Sequence, residues 1–166
     1  MALRNLSLDT GKVKVERSLE ETESGLRIKS PKTRHGYRAI VLPNSTVEAM
    51  REHCRRQLEQ RLRLGLGKPC PNDLVFSLPD GSPYPPDKLS RDWGNLVRDR
   101  KLPQVMFHAL RHSHASALIA AGIDIVAISR RLGHSSPAIT LRIYAHLFDS
   151  KSDDQAASAI DKAFGS

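Results

Sequence analysis

Histidine, arginine and tyrosine side chains recur at short intervals in the second half of the sequence. In HALRHSHAS, which begins at His108, Arg111 follows three residues later and His112 directly after it. His134 and Tyr144 lie further on, in RLGHSSPAITLRIYAHLF. Imidazole can give or take a proton near neutral pH, guanidinium binds phosphate through a planar fork, and an activated phenol can act as a nucleophile. These residue types fit three interpretations: buried structural residues, a metal site or an active site.

A metal site is the least favoured of the three. His108 and His112 have the four-residue spacing of a zinc-binding helix, but HALRH lacks the glutamate of the HExxH motif. No cysteine or carboxylate cluster nearby in the sequence completes a ligand set, and Cys54 and Cys70 form no CxxC pair. The sequence therefore predicts no bound metal.

The elements that must position these residues begin with strands. KVKVER (12–17) alternates apolar and polar side chains, which is typical of a half-buried strand. LRIKS (26–30) and YRAIVL (37–42) flank PKTRHG, whose proline and glycine indicate a turn. We expect these two segments to pair as a β-hairpin within a small antiparallel sheet of three strands. The hairpin tip is basic, with Lys32, Arg34 and His35.

Two helices follow the strands. Ser45 and Glu48 have the spacing of a capping box at the start of the first helix. Apolar residues at helical spacing would form its core face: Val47, Met50, Cys54, Leu58 and Leu62. The arginines on its other faces are interpreted as solvated rather than as a phosphate-binding face. The second helix covers 87–99, with these side chains inward: Leu89, Trp93, Leu96 and Val97.

The remainder of the chain reads as helices. The first, 106–122, carries His108 and Arg111 on one face and ends at Gly122. The next two are bounded by capping residues: Asp124 and Gly133 for one, Ser136 and Pro137 for the helix that carries Tyr144. A last helix over 152–164 has a small apolar face: Ala156, Ala159, Ile160 and Ala163. Strands followed by helices predict an α+β fold.

Composition and charge limit the function. The chain has 166 residues, of which 39% are hydrophobic and 27% charged, and a formal net charge of +8. No apolar stretch approaches the roughly 18 residues of a membrane span, and no signal-peptide core is visible, so we expect a soluble cytoplasmic protein. The positive charge favours DNA or RNA as partner, while an aromatic content of 5% argues against a single-strand stacking platform.

The HxxR at His108 and Arg111, the LGH ending at His134 and the tyrosine of RIYAHLF strongly resemble the C-terminal motif region of the tyrosine recombinases, the phage-integrase family. IKSPKTRHGYRAIVLP also resembles the family's β-hairpin with its active-site lysine, and the resemblance covers nearly the whole chain. It implies a catalytic domain of the DNA breaking-rejoining type that acts on double-stranded DNA without a cofactor.

The resemblance also implies a role for each residue. Tyr144 attacks a DNA phosphodiester and forms a 3′-phosphotyrosine link, which stores the bond energy so that no ATP is needed. His108 acts as general base or proton relay, and Arg111 clamps phosphate oxygens. His134 donates a hydrogen bond to the same phosphate, and Lys32 protonates the leaving 5′-oxygen. Four more residues have supporting roles: His112 behind the active site, and Arg34, His35 and Arg142 at the DNA.

The opening of the chain departs from the family pattern. The family's first phosphate-clamping arginine lies in a helix of the TGLRRGE type, before a segment like LALRWSDID, and MALRNLSLD resembles that later segment. We therefore expect residues 1–166 to be a catalytic domain without the N-terminal DNA-binding arm and without the first arginine's helix. Arg4 is not assigned a catalytic role. Cleavage by this chain alone should be weaker by orders of magnitude, and apolar surface left bare should lower its stability.

Two other functions stay open. The chain could be a non-enzymatic DNA-binding remnant of an integrase, with salt-sensitive DNA binding and no covalent adduct. It could also relax supercoiled DNA in the manner of a type IB topoisomerase, without recombination. For a recombinase, family analogy implies a tetramer on DNA, in which the helix over 152–164 docks onto a neighbour or packs on its own domain.

Overall fold

The computed structural model describes residues 1–31, 33–147 and 151–164. The chain divides into two compact units, Met1–Ala109 and Leu110–Ser166. The first unit contains the strands and two helices, and the second contains helices. The predicted α+β fold, with antiparallel strands first and helices after them, is confirmed.

The strands of the first unit form two antiparallel sheets. The three-stranded sheet has the order β1 (Leu6–Ser7), β2 (Lys12–Val15) and β5 (Arg38–Val41). β3 (Ser18–Thr22) and β4 (Gly25–Lys29) form a separate two-stranded sheet. In the larger sheet Val13 lies opposite Ile40 and is buried, as the alternation of β2 requires.

The predicted hairpin between residues 26–30 and 37–42 is wrong. β4 pairs with β3 through a tight turn that places Thr22 opposite Gly25, whereas β5 pairs with β2. The β3 sequence, SLEET, is mostly polar, so its composition does not mark it as a strand. The basic residues Arg34 and His35 consequently lie in a 3-10 turn, Arg34–Gly36, on the connection from β4 to β5.

Two helices complete the first unit, α1 (Asn44–Arg63) and α2 (Pro86–Asp99). The predicted capping box is wrong, because α1 begins after Pro43 and no side chain caps its start. Polar side chains tie α1 to the segment around Val75: the Gln57 side chain donates to the Leu74 carbonyl at 3.0 Å. The His53 ring lies 2.6 Å from the Val75 carbonyl oxygen.

The predicted core faces of these helices are only partly covered in the described chain. Val47 of α1 and Val97 of α2 are buried. Leu62 and Leu96, which the same periodicity assigns to the core, remain 54% and 45% exposed. The arginines of α1 include Arg55, which pairs with Glu52 and Glu59 on the same helix, as expected for a solvated face.

The second unit consists of short helices. They are α3 (Ala109–Ala120), α4 (Ile125–Leu132), α5 (Pro137–Tyr144) and α6 (Lys151–Phe164). The predicted cap of α4 is confirmed, because the Asp124 carboxylate accepts a hydrogen bond from the Ala127 amide at 2.9 Å. α3, α4 and α5 share a buried cluster: Ala115, Ile119, Ile128, Leu132 and Tyr144.

The predicted last helix is present, but only part of its apolar face is described. Ile160 and Phe164 of α6 are 58% and 82% exposed, whereas the side chains of Ala156 and Ala159 lie outside the described set. Within the described ranges, no helix has both the length and the apolar character that crossing a membrane would require.

Candidate active site

Tyr144 is the last residue of α5, and its ring belongs to the core of the second unit. The residue is 4% exposed. Its hydroxyl lies 2.8 Å from Nδ1 of His112 on α3, and the two rings are 5.8 Å apart, tilted by 56°. The phenol is therefore held at a fixed place by packing and by a hydrogen bond to an imidazole.

Arg111 directs its guanidinium to the carboxyl end of α4. Its Nη2 donates to the Leu132 carbonyl oxygen at 2.6 Å, and the residue is half-buried. The carboxyl end of a helix carries unpaired carbonyl groups with partial negative charge, so a cation is stabilised there. This contact fixes the direction of the side chain from α3.

His134 stands directly after the turn that ends α4. Gly133 has a φ of 75°, and its amide and that of His134 both donate to the Ser129 carbonyl, at 2.9 and 3.1 Å. The ring is oriented by Thr140 of α5, whose Oγ1 lies 2.7 Å from Nδ1. Thr140 is fully buried, so it can move little, and the orientation of the His134 ring is set from within the core.

Hydrogen bonds hold four of the predicted site residues in the second unit, and two of the four, His112 and Tyr144, contact each other; the four are Arg111, His112, His134 and Tyr144. The residues come from α3, from the turn after α4 and from the end of α5. Together they supply a phenol, an imidazole in contact with it, a second oriented imidazole and a guanidinium. Such a set can bind an anionic phosphate and can accept the proton of a nucleophile.

His108 is described with the first unit. α3 begins at Ala109, so His108 lies in the turn before the helix and not on the helical face that the predicted range 106–122 implied. The residue is exposed and lines a cavity of about 660 Å³, together with Trp93 and Phe107 among others. The Trp93 indole N–H donates to the Val105 carbonyl at 2.7 Å, which supports the interpretation of Trp93 as a packed residue.

The basic residues expected at the DNA are exposed, but they do not share one unit. Arg34 and His35 lie in the first unit, and Arg142 lies on α5 in the second. Lys32, the predicted acid, lies outside the described residues. Lys29, its neighbour in the sequence, forms an ion pair with Glu20 across β3 and β4.

Two further contacts in the second unit, one of them outside the proposed site, were not predictable from the motif residues alone. Thr140 is a buried threonine in the apolar run AITLRIY, and this placement of a hydroxyl is the only sequence signal for its role. His114 accepts a hydrogen bond from Arg131 Nε at its Nε2, at 3.0 Å. Burial lowers the pKa of His114 below its ordinary value, and the charges of Arg131 and Arg111 lower it further.

Over residues 1–31, 33–147 and 151–164, no group of three histidine, cysteine, aspartate or glutamate side chains could hold a metal ion. The imidazoles at Tyr144 and Thr140 are instead engaged with hydroxyl groups.

The order of strands and helices is that of a tyrosine-recombinase catalytic domain. A structure of the Tn1549 transposon integrase in complex with transposon right-end DNA matches 98% of this chain and 52% of its own, with a TM-score of 0.74 and 22% identity. XerA recombinase matches 96% of this chain and 50% of its own, with a TM-score of 0.62 and 22% identity. At this identity the likeness concerns the fold.

The phage integrase family profile matches residues 1–151, and the chain belongs to that family. A XerC-like tyrosine recombinase of Caldanaerobacter subterraneus is 31% identical over 121 residues, which are 70% of this chain and 30% of the relative. The ICEBs1 integrase of Bacillus subtilis is 27% identical over 144 residues, which are 87% of this chain and 39% of the relative. The family resemblance found in the sequence is thereby confirmed, for a chain that spans less than half the length of these two relatives.

Proposed function

We propose that the chain is the catalytic domain of a site-specific recombinase that cleaves and rejoins double-stranded DNA. The observation that carries this proposal is the contact of the buried Tyr144 hydroxyl with the His112 imidazole, in the unit that also holds Arg111 and His134. Membership in the phage integrase family supports it. The Tn1549 integrase, whose fold is similar, was solved in complex with DNA.

In this reaction the Tyr144 oxygen attacks a backbone phosphorus, and a 3′-phosphotyrosine link replaces the bond to the 5′-oxygen. Arg111 binds the non-bridging phosphate oxygens through its planar fork. His134, oriented by Thr140, donates a hydrogen bond to the same phosphate. Lys32 protonates the departing 5′-oxygen, and His108 serves in proton transfer. Attack by a 5′-hydroxyl on the link reverses the step, so no ATP or other cofactor is consumed.

Binding to DNA before cleavage is attributed to the positive charge of the chain. Its formal net charge is +8, and Arg34, His35 and Arg142 are exposed. Such contacts to phosphates position a duplex without reading its sequence. The affinity should therefore fall steeply as salt is raised.

Self-association on DNA is proposed through α6. Its Ile160 and Phe164 are large apolar side chains with exposures of 58% and 82%. Burying them against a second copy would remove apolar surface from water and join protomers into a recombination tetramer. Because the substrate is chromosomal or element DNA, we place this activity in the cytoplasm.

A second candidate function is DNA binding without cleavage. It is favoured by the burial of Tyr144, whose ring packs in the core as a structural tyrosine would. The two functions differ in one product, since only a recombinase forms a covalent bond between Tyr144 and DNA.

Covalent trapping tests the proposal. The chain is incubated with nicked duplexes whose central sequence is randomised, and adducts are isolated under denaturing conditions, sequenced and mapped by mass spectrometry. We expect an adduct at Tyr144 that is lost in Tyr144→Phe, while both proteins retain salt-sensitive DNA binding. A version with an upstream helix of the TGLRRGE type tests whether the first arginine raises the yield. DNA binding with no adduct from either version would favour the non-enzymatic function.

A further inference from the structure

The hydroxyl of the proposed nucleophile has an imidazole as its hydrogen-bond partner. Oη of Tyr144 and Nδ1 of His112 are 2.8 Å apart, although 32 residues separate them in the sequence. A general base must lie within about 2.6–3.2 Å of the atom that loses the proton, and this distance satisfies that condition. His112, which follows Arg111 in the sequence, is therefore hydrogen-bonded to Oη of Tyr144, the atom proposed to attack phosphorus.

Attack on phosphorus requires a base, because a phenol with a pKa of about 10 is almost fully protonated at neutral pH. We propose that His112 is a catalytic residue that accepts the Tyr144 proton at Nδ1 as the tyrosine attacks DNA. The proposal rests on the proposed cleavage function and changes one assignment within it: the proton of the nucleophile goes to His112 and not to His108.

Strand cleavage exchanges one bond to phosphorus for another and moves two protons. The bond between Tyr144 Oη and phosphorus forms, and the bond from phosphorus to the 5′-oxygen breaks. The phenolic proton moves to Nδ1 of His112, and the 5′-oxygen gains a proton from the acid, assigned above to Lys32. In the rejoining step the 5′-hydroxyl attacks phosphorus and returns its proton to that acid. The bond from phosphorus to Tyr144 Oη breaks, and His112 gives its proton back to the departing tyrosine oxygen. This requires that His112 begin neutral, with its own proton on Nε2.

The surroundings of His112 suit this role. Tyr144 is buried, whereas His112 is exposed, so the imidazole can pass a proton it accepts on to water. Among the charged or titratable groups of α3, α4 and α5, Tyr144 contacts the His112 ring, Arg111 donates to the Leu132 carbonyl, and Arg131 donates to His114.

The variant His112→Asn distinguishes a role of His112 in proton transfer from a role in positioning Tyr144. The asparagine amide places a hydrogen-bonding atom near the position of Nδ1, but it cannot take a proton at neutral pH. We expect His112→Asn to slow single-turnover adduct formation about 10²–10⁴-fold, with unchanged DNA affinity. The rate of the unchanged chain should fall toward low pH as imidazole protonates, and this acidic limb should be absent in His112→Asn. The matched control His114→Asn, two residues along α3, should keep the limb.

A second measurement does not depend on activity. In the chain without DNA, ¹⁵N NMR of the His112 ring should show an unprotonated Nδ1 and a protonated Nε2 at neutral pH, and Tyr144→Phe should shift the Nδ1 resonance. A protonated Nδ1 would overturn the proposal.

The kinetic outcomes separate the two proposals. Adduct formation at Tyr144 by both the unchanged chain and His112→Asn, at similar rates and with the same acidic limb, would overturn the role of His112 alone. A slower His112→Asn variant that keeps the limb would make His112 a positioning residue only. No adduct at Tyr144 from either the unchanged chain or the version with the upstream helix would overturn the cleavage function and the proton assignment together.

Discussion

Replacing Gly133 by alanine should damage both stability and cleavage, because this glycine forms the turn from which the site is built. Its φ of 75° is in the left-handed region. An L-residue there costs about 1–2 kcal/mol, while the lower entropy of the unfolded alanine variant returns about 0.4–1 kcal/mol. At the midpoints of these ranges the net loss is about 0.8 kcal/mol, or a fall of about 2–3 °C in Tm for a chain of this size.

The effect on cleavage should be larger than the effect on stability. Gly133 separates Leu132, whose carbonyl accepts the bond from Arg111, from His134, which reaches Thr140. Relaxing the strain moves both neighbours, and a misplacement of about 1 Å can cost about 10²-fold in rate. Urea unfolding measures the first effect, and the initial rate of adduct formation measures the second.

Gly122→Ala is the matched control. Gly122 has nearly the same φ, 72°, and no atom lies within 4 Å of the position its Cβ would take. Gly122 follows the end of α3 and takes part in none of the hydrogen bonds of the site. The Gly122→Ala variant should therefore lose as much free energy of unfolding as Gly133→Ala but keep its cleavage rate. If Gly133→Ala and Gly122→Ala lose stability equally and both cleave like the unchanged chain, the turn does not position the site and the reasoning fails.

Three further changes test neighbouring contacts. Thr140→Val removes the hydroxyl that orients His134 and should cost about 0.5–1.5 kcal/mol in urea unfolding and about 10-fold in cleavage, with recovery in Thr140→Ser. Wild-type cleavage by the valine variant would contradict the role of this bond. Arg111→Lys keeps the charge but loses the fork, so DNA affinity measured by titration should hold while cleavage falls roughly 10²–10³-fold. A parallel loss of DNA affinity and cleavage rate would instead indicate that Arg111 acts in DNA binding. The pKa of His114 is lowered in the folded chain, so its contribution to stability is complete above its ordinary value of 6.5 and is lost as pH falls below it. The free energy of unfolding should therefore fall between about pH 7 and pH 5. In His114→Gln, whose side chain can still accept from Arg131, it should fall less over the same range. An equal fall in both proteins would refute a contribution from His114.

Local chemistry made the second unit largely predictable. The Asp124 cap and the left-handed Gly133 define α4, and Ser136 and Pro137 define the start of α5, because each signal acts within one turn of its own position. The family motifs then pointed to Arg111 and Tyr144, which the structure shows hydrogen-bonded to the Leu132 carbonyl and to His112, respectively.

Contacts between distant segments were not predictable in the same way. The partner of β5 is β2, which no local signal distinguishes from β4. The periodicity of α1 marked Leu62 as core, but periodicity reports which residues share a face and not whether anything covers that face. The bond between His112 and Tyr144 depends on how α3 packs on α5, so the sequence supplied both residues without their contact.

The proposed active site lies partly in the core of the second unit, and its hydrogen bonds explain how polar side chains can be held there. Leaving a guanidinium, a phenol or an imidazole without partners in a half-buried place would be costly. Here the Leu132 carbonyl, His112 and Thr140 serve as those partners, so the arrangement is stable before DNA arrives. A guanidinium carries five donors, so Arg111 can keep its bond to Leu132 and bind a phosphate as well. Tyr144 differs, because its hydroxyl is already hydrogen-bonded to His112, so under the proposed mechanism it attacks phosphorus only as its proton passes to that imidazole.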